Sequence, residues 1–398
     1  GSFENPKLFG SLYSDNIELL SLTPKSGALD FVFQNQKLKL NVKEMTLFGG
    51  TLSGKGTLYF NVDPYYISFD LKGNNFDISE ALPNMKEITG TFNTTLDIKG
   101  PSDLYDIQFG FTSDSLSLLN QTIKKGDVLF TYHQNNIIDI AHLSLTVNDA
   151  DSHLEGLGQI QDFSQLDLSL SAENLSIVDI DDQLQPEKPG KLSFKADLKG
   201  LFSKDSQTPL FTELEGIMQY SISDLLFYNQ PFATVQGGLS FHNDMLNLNQ
   251  LLAKNNNEVI EIKGLFSHLN PQNIEVSFEN VHFGRSRLLQ RYLPEFFKPF
   301  YGVFTGKFHI KDTASKEALP SSLLSRLNRL TIQGDLHLSE GLFQNQPIDT
   351  FKTTIHWDGT QLSLSESLLK ENDSLFMFDG IIKKDHFFDF TFKPKTAV

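Results

Sequence analysis

The sequence predicts an all-β protein, an elongated, curved antiparallel β-sheet with a hydrophobic groove, built from about four tandem repeats. Apolar and polar residues alternate along most of the chain, which places neighbouring side chains on opposite faces of a pleated strand. Short turns containing Asn, Asp or Gly separate these runs, and strands joined by short turns pair antiparallel. The pattern recurs at intervals of just over 100 residues. Because this interval exceeds the usual solenoid periods, each repeat is itself a module of several strands.

A hairpin turn and a later glycine mark each repeat. The turn occurs as Gln34-Asn35-Gln36, Gln134-Asn135-Asn136, His242-Asn243-Asp244 and Trp357-Asp358-Gly359. About 20 residues after each turn comes a glycine that we place at the head of a strand, and these are Gly56, Gly158, Gly264 and Gly380. The alternating runs predict about six short strands in each repeat and on the order of 20–25 strands in all.

These signals divide the chain, in order, into a short leader and four repeats. Gly1-Ser2 resembles the remnant of a removed tag, and residues 1–6 are assigned to this remnant and a linker. The repeats are residues 7–89, 90–189, 190–305 and 306–398, which we expect to form one continuous elongated domain cut from a longer protein. Brief helices containing proline are expected between repeats, at Asp77–Met85 with Ser79 as its N-cap, and at Arg285–Phe300.

The composition argues against several functional classes. The 398 residues carry a formal net charge of −16, which disfavours binding to nucleic acid and charge-based binding to anionic lipid headgroups. The chain has no cysteine, which excludes disulfides, thiol catalysis and thiolate metal sites. It has 35 phenylalanines against one tryptophan. Because each phenylalanine can bury ~150–250 Å², the chain carries a large apolar surface that something must cover.

No arrangement of residues predicts catalysis, a metal ion or a cofactor. The ten histidines are scattered, and none pairs at the spacing of a His-Glu-x-x-His metal motif. Gly54-Lys55-Gly56 lacks the companions of a phosphate-binding loop and is interpreted as a strand start or a bulge. The acidic clusters within residues 149–151 and 179–182 lack the glycine and bidentate glutamate of a calcium-binding loop. We therefore expect a protein that is not an enzyme, with no catalytic residue, no metal site and no cofactor.

The apolar face of the last strand in each repeat is the candidate ligand-binding surface. A fatty acyl chain laid along such a face gains ~0.8 kcal/mol per buried CH₂, or roughly 10 kcal/mol before ordering costs. The alternation alone leaves open whether these residues line an open groove or fill the core of closed β-sandwiches. The predicted lipid-groove residues are Ile67, Phe69, Leu71, Leu166, Leu168, Leu170, Ile274, Val276, Phe278, Phe388, Phe390 and Phe392.

The second repeat has a distinctive layout, with Gly90–Gly100 followed by Pro101, a strand to Asn120, the hairpin, and the run Leu154–Ile160. In this layout it resembles the repeats of the AsmA-like superfamily. The tandem repeats extend the likeness over nearly the whole chain. It implies a periplasmic sheet folded like a taco shell (a β-taco), anchored to the inner membrane by a segment outside this chain. It also implies transport of phospholipid between the inner and outer membranes.

The favoured hypothesis is a non-catalytic, bridge-like lipid-transfer segment. Its partners would be phospholipid or another acyl lipid and, through segments outside the chain, the inner and outer membranes, with no nucleic acid. One alternative is a periplasmic chaperone or scaffold that offers strand edges and an apolar face to unfolded β-strands, with an outer-membrane assembly protein as its partner. Another is an adhesin or stalk made of closed β-sandwiches.

Overall fold

Long strands dominate the fold. The computed structural model describes residues 6–15, 25–81, 88–118, 121–148, 150–162, 164–176, 190–201, 214–227, 230–242, 245–267, 270–282, 300–312, 329–343, 346–372, 374–383 and 388–395. The strands of repeats 1 and 2 are β1 Leu8–Ser14, β2 Ser26–Gln34, β3 Lys37–Leu47, β4 Gly50–Tyr59, β5 Tyr66–Asp77, β6 Ile88–Pro101, β7 Asp106–Leu118, β8 Gln121–His133, β9 Ile137–Val147, β10 His153–Gln161 and β11 Gln165–Ser176. Those of repeats 3 and 4 are β12 Lys191–Leu201, β13 Leu214–Phe227, β14 Gln230–His242, β15 Met245–Asn255, β16 Glu258–Ser267, β17 Asn270–His282, β18 Phe300–Asp312, β19 Leu330–Phe343, β20 Gln346–Trp357, β21 Gln361–Glu371, β22 Ser374–Lys383 and β23 Phe388–Lys395.

The described strands belong to two compact units. In the first unit, β1 to β11 each pair antiparallel with the next strand, forming one meander. In the second, β13 to β23 do the same. The boundary falls within β12, whose residues from Asp197 onward belong to the first unit. Among the described residues β1 pairs only with β2 and β23 only with β22, so each unit has one open strand edge. The predicted all-β, antiparallel architecture is confirmed, and the open edges answer a question that the alternation of residues had left undecided.

The strands are longer than the short strands expected from the sequence. They run from 7 residues in β1 to 14 in β6, because many continue past the alternating run through an irregularity in the pairing. Asn75, Asn174 and Asn280 occupy equivalent places in β5, β11 and β17 and have φ of 55°, 55° and 54°. Asparagine tolerates this left-handed conformation better than most residues. This conformation turns the end of the strand. The residues that follow Asn75 and Asn280 are Phe76 and Val281, and they are only 4% and 3% exposed.

The buried core of the first unit lies along the border formed by these strand ends. Phe76, Ile78, Phe92, Leu116 and Ile123 form one buried cluster. The short helix α1, Ile78–Ala81, contributes Ile78 to this cluster. Apart from this border, most apolar side chains in the strand middles are half-buried, which leaves one face of the sheet accessible. No helix among the described residues is long and apolar enough to cross a membrane.

Two expectations about local structure are wrong. The repeat glycines Gly56, Gly158, Gly264 and Gly380 lie in the middle of β4, β10, β16 and β22, not at strand heads. Ser79 is not the helix cap, because its backbone N–H donates to Asp77 Oδ1 at 2.8 Å, and Asp77 therefore caps α1. The rest of the predicted Asp77–Met85 helix lies outside the described residues. So does the second predicted helix, except that Phe300 begins β18.

The hairpin turns are placed as predicted where the structure describes them. Asn35 and Gln36 link β2 to β3 with φ of 51° and 55°, the paired left-handed values of a two-residue type I′ turn. Residues 134–136 connect β8 to β9. At the β20–β21 turn, Asp358 Oδ1 accepts bonds from the backbone N–H groups of Thr360 and Gln361 at 2.8 and 2.9 Å. Residues 243–244 of the remaining turn lie outside the described residues.

Candidate functional site

Apolar residues form continuous rows across the strands of the first unit, here called lanes. Directly paired residues of an antiparallel sheet point to the same face, so following partners from strand to strand traces each lane. Lane A consists of Gly10, Phe31, Leu40, Gly56, Phe69, Ile98, Ile107, Tyr132, Ile138, Ile160 and Leu166. Lane B consists of Leu12, Leu29, Val42, Gly54, Leu71, Leu96, Phe109, Phe130, Ile140, Gly158 and Leu168. Every position in both lanes is aliphatic, aromatic or glycine.

The second unit has the same arrangement. Lane C consists of Met218, Leu239, Leu248, Gly264, Ile274, Ile310, Ile332, Trp357, Leu362, Ile382 and Phe388. Lane D consists of Tyr220, Gly237, Leu251, Ile262, Val276, Phe308, Gly334, Ile355, Leu364, Gly380 and Phe390. Both lanes again lack any charged side chain across eleven strands, so each unit presents one apolar face.

The register places the predicted groove residues in shared lanes. In the first unit, Phe69 and Leu166 lie in lane A, and Leu71 and Leu168 lie in lane B. Leu170 lies one row further along, and Ile67 lies one row to the other side. In the second unit, Ile274 and Phe388 share lane C, Val276 and Phe390 share lane D, and Phe278 and Phe392 lie in the next row.

Most of these side chains are neither fully buried nor fully exposed to solvent. Ile67, Phe69, Leu71 and the three predicted leucines of β11 are half-buried. In the second unit, Ile274 is 6% exposed while Phe392 is 63% exposed. The side chain of Phe388 lies outside the description. Residues packed between two layers are usually fully buried, so this partial exposure indicates a face that other described parts of the chain leave partly accessible.

Glycines in the lanes make room for large partners. The ring of Phe69 lies over Gly56 and that of Phe390 over Gly380, so that a Cβ added to either glycine would overlap the ring. Sequence inspection found these glycines as a repeat marker but not their role, since the partner on the next strand is known only once the register is known. The signal available in the sequence was a glycine in each alternating run where an apolar residue is expected.

Aromatic rings also touch one another along the apolar face. Phe109 and Phe130 are paired neighbours with ring centroids 5.0 Å apart. In the second unit, Phe278 and Phe308 stack at 5.6 Å. Such contacts add about 0.5–1.5 kcal/mol each beyond the area they bury. They hold the side chains of the face in place without requiring a second layer above them.

The opposite face of the same strands is polar. In the first unit the row between lanes A and B on the other side consists of Ser11, Asp30, Asn41, Lys55, Asp70, Asp97, Gln108, Thr131, Asp139, Gln159 and Asp167. Ion pairs tie this face together, with Lys43 2.9 Å from Asp30 and Lys199 3.2 Å from Asp167. Exposed pairs of this kind contribute little stability. They mark this face as the side that meets water.

One histidine on the polar face bridges two carboxylates. His133 Nδ1 lies 2.6 Å from Asp106 and its Nε2 lies 2.9 Å from Asp139. Only the doubly protonated ring can donate to both, and the bonds to Asp106 and Asp139 raise the pKa of His133. Bonds from Gln159 and then from His133 lower the pKa of Asp139. The arrangement is an ion-pair bridge across three strands.

Neither a metal-binding group among the described residues nor a matching family model assigns a function. Within the described part of the chain, no group of three or more His, Cys, Asp or Glu side chains is arranged to hold a metal ion. No protein-family model and no curated protein sequence matches the chain. The likeness to the AsmA-like superfamily therefore stays a prediction from sequence, and the functional argument rests on the two faces of the sheets.

Proposed function

We propose that the chain is a non-catalytic, bridge-like lipid-transfer segment that holds the acyl chains of phospholipid against its apolar lanes. The observation that supports this proposal is the continuity of the lanes. Paired positions from β1 to β11, and again from β13 to β23, are apolar or glycine without interruption. A charged residue within a lane would oppose the passage of an acyl chain, because an unpaired charge is costly in an apolar environment.

The dimensions and energies suit an acyl ligand. Eleven strands at ~4.8 Å spacing give each lane a length of about 48 Å. An uncovered apolar strip of this length is unfavourable in water, and covering it with an acyl chain gains ~0.8 kcal/mol per CH₂. Headgroups would stay in water at the border of the face. The acidic balance of the chain, −16, agrees with recognition through the acyl chain and not through an anionic headgroup.

The same proposal includes a cellular location, which is supported by the sequence resemblance to the AsmA-like superfamily. In this setting the chain lies in the periplasm, is anchored to the inner membrane by a segment outside this chain, and carries phospholipid between the inner and outer membranes. The lanes cross the strands at right angles and so run along the direction in which repeats are added. A ligand that moves along a lane would therefore pass from repeat to repeat within a unit.

The decisive experiment is mass spectrometry of an organic extract of the protein, purified without detergent and freed of membranes. Phospholipid at a near-stoichiometric or higher ratio supports the proposal. A folded protein that carries no lipid, and that takes up none from labelled vesicles, contradicts it.

A chaperone or scaffold for outer-membrane proteins is the second candidate, favoured by the open edge at β1. Phe9 is 76% and Tyr13 79% exposed on this strand, whose outer backbone groups have no described partner strand. An extended peptide can add to such an edge as a further strand. Saturable binding of a peptide with the alternating pattern of a barrel strand, by protein that carries no lipid, would favour this candidate over lipid transfer.

A further inference from the structure

The polar face of the second unit contains a cavity that the proposed lipid function does not use. Its volume is about 510 Å³, and neighbouring strands β17 to β20 line it. Lys307, His309 and Lys311 come from β18, Gln333 from β19, His356 from β20 and Asn273 from β17. These side chains alternate with members of lanes C and D along each strand, so the cavity opens on the face opposite the apolar lanes.

The strand register places two lysine and two histidine side chains around the side-chain amide of Gln333. His309 pairs with Gln333, and Gln333 pairs with His356, which puts an imidazole on each side of the Gln333 side chain. Lys307 and Lys311 lie two residues before and after His309 on the same strand, roughly 6.7 Å away along it. Two ammonium groups and two imidazoles thus surround an amide that can donate from its NH₂ group.

Three of these donors make no hydrogen bond or ion pair in the described part of the chain. Lys307 is engaged by Glu275 at 2.9 Å, and Asp335 accepts a bond from Thr354 Oγ1 at 2.7 Å. By contrast, no hydrogen bond or ion pair to a described residue involves the side chains of Lys311, His309 or His356. The charges of Lys307 and Lys311 are balanced by Glu275 and Asp335, and Lys311 is the lysine of the cavity with no carboxylate at ion-pair distance among the described residues.

We propose that this cavity binds a small oxyanion, a phosphate or carboxylate group, with Lys311 supplying the main charge and His309, His356 and Gln333 donating hydrogen bonds. The volume accommodates a ligand larger than the anionic group alone. Asp335, on the Lys307 side, would repel a second negative charge and favour a ligand whose anionic group lies toward Lys311. Because the cavity lies on the polar face, the proposal does not depend on lipid binding by the lanes.

Charged groups on several elements face the two imidazoles. They are Glu275, the paired residue of His309, on β17, Lys307 and Lys311 on β18, Asp335 on β19 and Asp358 after β20. Each imidazole has a ring N–H that can donate a hydrogen bond to an oxyanion.

Equilibrium dialysis of the whole chain against radiolabelled inorganic phosphate, at pH 6 and constant ionic strength, tests the site. We expect saturable binding that Lys311→Gln weakens by about tenfold, equivalent to ~1.4 kcal/mol. Lys370→Gln is the matched control, because Lys370 is an exposed lysine on β21 outside the cavity. Absence of saturable binding overturns the proposal, as does an equal loss in both variants, which would show only the effect of net charge.

Two further arms sharpen the test. Radiolabelled sulfate replaces phosphate in the first arm, and weaker sulfate binding by a His309→Gln/His356→Gln double variant than by the wild type supports the imidazole role. Equal sulfate binding by the double variant and the wild type overturns that role. Flotation with phosphatidylglycerol vesicles identifies the source of the oxyanion. Flotation that requires Lys311 indicates a lipid headgroup, and its absence alongside saturable phosphate binding indicates a soluble ligand.

Discussion

The aromatic ring of Phe390 lies directly over Gly380, its paired residue on the neighbouring strand, where a Cβ on the glycine would overlap the ring. Gly56 and Phe69 are related in the same way in the first unit. A large ring over an otherwise bare glycine is a recognised means of stabilising glycine within a sheet. The pairing lets a lane contain glycine without leaving a gap in its apolar surface.

A methyl group at Gly380 should therefore destabilise the sheet. We expect Gly380→Ala to lower the free energy of unfolding by about 1–3 kcal/mol, because the ring of Phe390 must leave its place. Urea denaturation followed by circular dichroism measures the change. Gly238→Ala is the control, since the nearest atom to its added Cβ lies 3.6 Å away, and it should be neutral or stabilising by about 0.4–1 kcal/mol. Equal destabilisation by both would contradict the packing argument.

A charge placed in a lane should reduce lipid binding without loss of the fold. We expect Phe69→Asp to lower the amount of co-purified phospholipid, because losing two CH₂ contacts of ~0.8 kcal/mol each already weakens affinity more than about tenfold. The control is Ser68→Asp, which adds the same charge to the opposite face of the same strand. Lipid content per folded protein, by mass spectrometry with circular dichroism, distinguishes them. Unfolding of Phe69→Asp alone would identify Phe69 as ordinary core.

The His133 bridge should make stability depend on pH. The pKa of His133 is raised in the folded chain, so the contribution of the bridge is complete below its unfolded value of about 6.5 and is lost as pH rises through the folded value. The pKa of Asp139 is lowered, so its share is lost as pH falls below about 3.9.

The difference in thermal midpoint between the wild type and His133→Gln should accordingly be greatest near pH 5 to 6 and shrink above neutrality. His142→Gln, at an exposed position of β9, is the control for the loss of an imidazole from the surface. A difference between wild type and His133→Gln that stays constant from pH 5 to 9 would show that the ring contributes by packing and not by charge.

The buried hydroxyl pair of Thr353 and Ser367 should be coupled. Their side-chain oxygens lie 2.8 Å apart, and the residues are 4% and 1% exposed. Ser367→Ala should cost about 1–3 kcal/mol because it leaves the Thr353 hydroxyl with weaker partners. Adding Thr353→Val should recover much of this loss, since replacing both polar groups by apolar ones can be nearly neutral. Strict additivity of the two changes in a double-mutant cycle would contradict the coupling.

The two faces of the strands could be predicted from sequence because they depend only on the alternation of side chains along a strand. Val276 and Ser277 needed no knowledge of neighbouring strands to be assigned to opposite faces. The lanes could not be predicted, since register is a property of paired strands. The cavity on the polar face illustrates this, because His309, Gln333 and His356 converge from three strands. The bends at Asn75, Asn174 and Asn280 were also missed, although the recurring asparagine was visible in the sequence.

The lanes have a consequence for how such a chain can change in length. Because each strand runs opposite to its neighbour and presents the same face, loss or duplication of one hairpin returns the chain to the same direction with its apolar residues still in line. Loss of a single strand reverses the direction of everything that follows. Evolution can therefore change the length of the sheet by adding or removing whole hairpins. Every lane stays apolar when this happens.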